Sequence, residues 1–183
     1  MKVTEIKGDI IKLSRISDYD VVLHGCNVFC TQLAGLAPQM VEAFGTDKFP
    51  MEHKSRKGDI NKLGCIDFRA VRRRYNRQDE SRYFGSFNAI YKKEFEEEER
   101  ALYVVNAYTQ YNYGKNPKDE KYKPVDYKAI ALVFKKINVI FAGKHILTPR
   151  LGSGLAGGDW NKIKRIILRE LTDCDVTLVE YKK

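Results

Sequence analysis

The chain has 183 residues, 43% hydrophobic and 31% charged, enough for one domain with a sizeable core and too few for two ordinary ones. No apolar run approaches the roughly 18 to 20 residues of a membrane span, and Met1-Lys2-Val3-Thr4-Glu5 has no secretory h-region, so a cytoplasmic or nucleoplasmic protein is expected. The formal net charge of +9 excludes little, because nucleic acid, a small phosphorylated ligand or an acidic protein would each answer it.

In chain order, Val3 to Ile6 alternate as a short strand closed by Gly8-Asp9. Tyr19 to Leu23 is a compact apolar run, the mark of a strand buried on both faces, and it ends at His24-Gly25-Cys26-Asn27. Ala34 to Phe44 carries Leu36, Met40, Val41 and Phe44 at helical spacing, with Pro38 tolerable only near the first turn. A more polar helix is expected over Asp47 to Lys57, then strands over Leu63 to Val71 and Leu102 to Thr109. Between those strands lies a charged excursion at about residues 72–100. Arg72, Arg73, Arg74, Arg77 and Arg82 open it, and Glu94 with the run Glu96 to Glu99 closes it. It reads either as a solvated loop or hairpin, or as a basic, aromatic-interleaved arm for nucleic-acid contact.

Pro124 to Ala142 places Ile130, Val133, Phe134 and Ile137 on one helical stripe, with Gly143 as the stop. His145 to Thr148 is a short buried strand ending at Pro149. Trp160 to Leu171 is a helix with Ile163, Ile166, Ile167 and Leu171 inward and Asp159 as N-cap, and Val176 to Tyr181 is the last strand. Strands alternating with helices imply an α/β fold, three layers with helices on both faces of the sheet. No repeat or low-complexity linker divides the chain, so a single domain over 1–183 is expected. Cys26 and Cys30 are three residues apart while Cys65 and Cys174 stand alone. Even with His24 beside Cys26, reduced thiols and no metal are expected.

Ligands of open α/β sheets collect at the carboxyl ends of the strands, and three strand ends here are chemically unusual. They are His24-Gly25-Cys26-Asn27 running into Thr31-Gln32-Leu33-Ala34-Gly35, Asn106-Ala107-Tyr108-Thr109-Gln110, and Pro149-Arg150-Leu151-Gly152-Ser153-Gly154-Leu155-Ala156-Gly157-Gly158-Asp159. The last has four glycines in seven residues between a strand and a helix, which lets main-chain N–H groups approach a diphosphate without Cβ obstruction. It lacks the Lys-Ser/Thr ending of a Walker loop, and its G-x-G-x-x-G lies near the C-terminus instead of opening a first βαβ unit.

Lys7-Gly8-Asp9-Ile10, His24-Gly25-Cys26-Asn27, Gly35-Leu36-Ala37 and the Pro149 to Leu155 loop, in this order, resemble a macro domain. The nearest resemblance is to the branch of ADP-ribose-1″-phosphate phosphatases, with its H-x-C-N strand end and G-L-A-G-G-D-W type loop. It covers nearly the whole chain apart from the excursion. It implies a macro-type mixed sheet and ADP-ribose or ADP-ribose-1″-phosphate as ligand, without cofactor. By the same resemblance Asp9 would accept from the adenine amino group, with Ile10 beside the ring and Tyr181 stacked on it. Asn27 would hold a hydroxyl of the distal ribose, with His24 near the same end. Thr31, Ala34 and Gly35 would skirt that ribose and a phosphate, and Gly152, Ser153, Gly154, Leu155 and Ala156 would wrap the diphosphate.

The candidates for chemistry are His24, as general base or polariser of a 1″-phosphate, Asn27 as its helper, and Asp159 as an acid. Plainer roles stand beside these: His24 as a hydrogen-bonded core histidine, Asp159 as a helix cap, Asn106 as a ligand contact or an orderer of its loop, Trp160 as core. Tyr111, Asn112 and Tyr113 would cover the ligand or pack on the surface. Leu33 stands where the family's first loop has a glycine, which would put a bulky side chain in the distal-ribose wall. Ala156 stands where the branch that removes ADP-ribose from glutamate has an aspartate, and the Asn106 to Gln110 strand end lacks that branch's lysine. The expected function is ADP-ribose binding by a monomer with phosphatase activity on ADP-ribose-1″-phosphate. The other readings are a non-catalytic ADP-ribose reader, an ADP-ribosyl hydrolase acting on modified protein or nucleic acid, and nucleic-acid binding through the arginine block.

Overall fold

A computed structural model describes residues 1–16, 18–49, 57–71, 84–85, 101–113 and 124–181. Its elements are β1 (Val3–Gly8), α1 (Ile10–Ser14), β2 (Val21–Asn27), α2 (Ala37–Phe44), β3 (Ile66–Val71), β4 (Phe84–Gly85), β5 (Leu102–Gln110), α3 (Tyr127–Ile140), β6 (His145–Pro149), α4 (Trp160–Glu170) and β7 (Asp175–Tyr181). Short 3-10 turns occupy Thr46–Lys48 and Ile60–Lys62. The strands form one mixed sheet in the order β1-β7-β6-β2-β5-β3-β4. The five strands from β1 to β5 in that order are parallel, while β3 runs antiparallel to β5 and β4 antiparallel to β3.

Alternation along the central strands sorts side chains between two apolar layers. Val21 and Leu23 of β2 join Val105, Ile146, Val176 and the inward stripes of α3 and α4 on one face. Val22 joins Val104, Leu147, Val179 and Ile10, Met40, Phe44 and Phe49 on the other. Burial of both faces explains the unbroken apolar runs of these strands. The result is the expected three-layer arrangement.

Caps set the helix limits. Asp126 accepts from the Ala129 amide, so α3 starts at Tyr127 and not at Pro124. Asp159 accepts from the amides of Asn161 and Lys162 and starts α4 at Trp160, where the sequence places it. Helix α2 begins at Ala37, later than expected, because Gly35 sits at φ +67° in the preceding loop. Pro38 falls in its first turn. Of the polar helix expected over Asp47 to Lys57, Thr46–Lys48 forms a 3-10 turn, and residues 50–56 lie outside the described ones. Strand β2 continues four residues past the expected end at Leu23, because β5 offers partners as far as Gln110.

The register also locates the excursion. Val71 pairs with Leu102, the first residue of β5, and β4 pairs with Ala70 and Val71. The excursion therefore leaves and rejoins the sheet at the edge where the parallel strands begin. Apart from Phe84–Gly85, residues 72–100 lie outside the described ones. No helix among the described residues is long and apolar enough to cross a membrane.

Candidate functional site

At the opposite edge the parallel strands end together, at Gly8, Tyr181, Pro149, Asn27 and Gln110. Gly8 pairs with Tyr181, so Asp9 and the half-exposed Tyr181 ring are neighbours at one end of this edge. Asp9 caps α1 through one carboxylate oxygen, which accepts from Ile11 and Lys12 at 2.9 and 3.3 Å. Its second oxygen has no protein partner among the described residues. Ile10, expected beside a ligand ring, instead points its side chain into the core, 2% exposed.

The loop from Arg150 to Asp159 is folded by its own main chain. Gly158 N–H donates to the Gly152 carbonyl at 2.8 Å, Gly157 N–H to Gly154, and Ser153 N–H to Arg150. Gly152 and Gly157 take φ +75° and +72°. A Cβ at Gly158 would lie 2.7 Å from the Gly152 oxygen and 2.7 Å from Ile163 Cδ1. Ser153 spends its hydroxyl on the Arg150 carbonyl at 2.7 Å. The Ala156 carbonyl accepts from Val125, which ties the loop to the start of α3. What remains is a run of three amides, Gly154, Leu155 and Ala156, with no acceptor among the described residues. Consecutive unpaired N–H groups in a turn of this kind form an anion seat.

The loop after β2 is folded by side chains. The register shifts between Cys26 and Asn27, so that Asn27 pairs with Gln110 and Thr109 of β5 is passed over. The Asn27 amide then clamps the turn, donating to the Thr31 carbonyl at 2.8 Å and accepting from the Thr31 N–H at 3.2 Å. Gln32 donates to the Thr46 carbonyl and accepts from the Thr46 hydroxyl at 2.6 Å. The two loops meet where a Cβ on Gly35 would lie 3.5 Å from Leu155 Cδ1. Leu33 does not enter the wall between them: it is 85% exposed, directed to solvent. Between the strand ends the floor is bare backbone at Gly25, the one exposed residue of β2.

Beneath the first loop runs a buried polar chain. His24 is 1% exposed, and its Nε2 lies 2.7 Å from Asn106 Oδ1. Asn106 donates through its amide nitrogen to the Thr46 carbonyl, so its oxygen faces the ring and Nε2 is the protonated nitrogen. Burial lowers the His24 pKa to about 4 against the opposing pull of Asn106, which leaves the imidazole neutral near pH 7. Asn106 is fully buried, so it orders this chain and does not face the groove. Asp159 is exposed at the head of α4, and only one of its oxygens is used in capping. Tyr111 and Tyr113 stand edge-on to Phe29 beside the Asn27 turn.

A second polar cluster, absent from the sequence reading, lies behind the first loop. Lys62, only 8% exposed, points its Nζ at Cys30 Sγ at 3.3 Å and over the Tyr108 ring at 5.3 Å. Tyr108 donates its hydroxyl to Asp67 at 2.6 Å and sits 3.6 Å from Cys30 Sγ. Burial, followed by the Asp67 charge, holds the Tyr108 phenol well above its ordinary range. Cys30 is the one described non-glycine residue with positive φ, at 58°. In sequence the cue is faint, because Lys62 sits among polar residues that resemble any exposed turn. Among the described residues no group of three His, Cys, Asp or Glu is arranged to hold a metal ion.

Comparison with known proteins supplies the context for this geometry. No family model matches the sequence. The chain is 26% identical over 186 residues to an uncharacterized 17.5 kDa protein from the tk-vs intergenic region of Enterobacteria phage T4, covering 100% of this chain and 98% of that one. Among solved structures, a macrodomain protein from Streptomyces coelicolor superposes with a TM-score of 0.60 at 16% identity, over 100% of this chain and 99% of that one. The chain has the macrodomain fold. Thermosipho africanus DarTG, solved in complex with ADP-ribose, matches with a TM-score of 0.63 at 15% identity, over 98% of this chain and 42% of that one.

In this macrodomain fold Asp9, Tyr181, the Gly152 to Ala156 loop, Asn27, Thr31, Ala34 and Gly35 share one sheet edge. His24 and Asn106 lie under that edge, inside the core.

Proposed function

We propose that the groove along this edge binds ADP-ribose, and that the protein hydrolyses ADP-ribose-1″-phosphate to ADP-ribose and phosphate. The observation that carries the binding is the unpaired amide run at Gly154, Leu155 and Ala156, closed against Gly35 of the facing loop. A diphosphate there meets fixed N–H dipoles that need no reorganisation. The unused Asp9 oxygen accepts from the adenine amino group, and Tyr181 offers a ring face beside it. The spare Asn27 amide hydrogen, with Thr31, Ala34 and Gly35, contacts the distal ribose. The ADP-ribose bound by the DarTG relative supports the ligand assignment.

In this reading the catalytic candidates have different tasks. His24 acts as a positioning residue, since its Nε2 hydrogen is committed to Asn106 and its ring is sealed from solvent. Asp159 keeps an exposed, uncommitted oxygen, and in this reading it orients the attacking water. A second reading, a reader that binds ADP-ribose without turnover, is favoured by the commitment of His24 and Asn27 to structural hydrogen bonds. Phosphate release from ADP-ribose-1″-phosphate, measured beside calorimetry with ADP-ribose, separates the two. Release that disappears in Asp159→Ala supports the phosphatase. Tight binding with no release leaves the reader, and no binding ends both.

A further inference from the structure

The Lys62–Cys30 pair poses an electrostatic problem that ADP-ribose binding does not answer. The ammonium of a lysine only 8% exposed as a residue calls for an anion or several acceptors. Lys62 Nζ has one hydrogen-bonding partner among the described residues, the sulfur of Cys30, beside the face of the Tyr108 ring. Among the described residues no carboxylate forms an ion pair with it, and Asp67 accepts from the Tyr108 hydroxyl. A neighbouring lysine marks the contrast: Lys136 also reaches a sulfur, Cys65 at 3.1 Å, but it has the Gly64 carbonyl at 2.9 Å as well. The Cys30 sulfur is the group that Lys62 Nζ reaches, at 3.3 Å.

We propose that Cys30 is a reactive thiol, a modification site for hydrogen peroxide and soft electrophiles, with Lys62 as its buried counter-ion. Thiolates beside a lysine and partly open to solvent are the thiols that react. Cys30 and Cys65 are partly exposed, while Cys26 and Cys174 are buried and their thiols are pushed up by that burial; of the two open thiols, Cys65 shares its lysine with the Gly64 carbonyl. In the reaction the Cys30 sulfur attacks one peroxide oxygen, an S–O bond forms and the O–O bond breaks. The departing hydroxide takes a proton from Lys62 and leaves as water. Cys30 becomes a sulfenic acid, two electrons pass to peroxide, and Lys62 regains its proton from solvent.

The site lies inside the Asn27 to Thr31 turn, so the added oxygen enters the loop that lines the groove. The chemistry is independent of whether the groove turns over a substrate.

The test is peptide mass spectrometry of the whole protein treated with dilute peroxide and dimedone, with Cys65 as the internal standard. The expected result is a Cys30 adduct forming about tenfold faster than the Cys65 adduct. Lys62→Met should slow Cys30 by about tenfold and leave Cys65 unchanged, while Lys62→Arg, which keeps the charge, should retain most of the rate. Should Lys62→Met fail to fold, the Cys30 to Cys65 ratio in the native protein decides alone. Equal labelling of the two thiols, or a Cys30 rate indifferent to Lys62→Met in folded protein, overturns the proposal.

Discussion

The two loops that face each other across the groove are built by opposite means. From Arg150 to Asp159 the main chain bonds to itself, and glycine is required where the path turns left-handed or passes within 3 Å of a neighbour. From Asn27 to Gly35 the main chain is held by side chains, Asn27 directly and Gln32 through Thr46, Asn106 and His24. A loop that bonds to itself through backbone leaves some amides spare for a ligand. A loop clamped by side chains spends their polar groups and inherits their titration behaviour.

The largest effect should come from breaking the main-chain loop. Gly158→Ala places a methyl 2.7 Å from the Gly152 oxygen, an atom that cannot swing away as a side chain would. About 3 kcal/mol of stability should be lost, and ADP-ribose affinity should fall about a hundredfold. Thermal unfolding and calorimetry check this, and unchanged affinity would place the diphosphate elsewhere.

Acid should act on the other loop alone. His24 has a folded pKa of about 4 against an ordinary 6.5, so between those values the unfolded chain takes up a proton that the folded chain refuses. This contribution is intact above pH 6.5 and is lost as pH falls, reaching about 3 kcal/mol near pH 4. Urea midpoints at pH 7 and 4.5 should fall more for the native protein than for His24→Gln. Hydrogen exchange should rise at 27–35 before 150–158, and simultaneous loss would contradict the division.

The smallest effect belongs to the clamp itself. Asn27→Ala removes both bonds to Thr31, for about 2 kcal/mol of stability and a roughly tenfold weaker ADP-ribose complex. An affinity loss as great as that of Gly158→Ala would show that the side-chain loop carries the ligand after all.

The same contrast explains what the sequence disclosed. Glycines that must be glycine, an aspartate ahead of a helix and apolar strands buried on both faces all follow from local backbone rules, so Gly152 to Gly158, Asp159 and the sheet layers were legible. His24 and Asn106 looked like strand-end chemistry, and only the pairing of β2 with β5 shows that both side chains turn inward. Leu33 read as an obstruction because residue type says nothing of direction, and it stands 85% exposed. Lys62 was invisible because its burial comes from Tyr108 and Cys30, distant in sequence and brought to it by the fold.

The pairing of Val71 with Leu102 has a consequence for how this molecule can change. The two residues of that pair stand a full strand length, about 20 Å, from the ligand edge. A substitution at Val71 or Leu102 therefore acts at the far end of the strands from the groove.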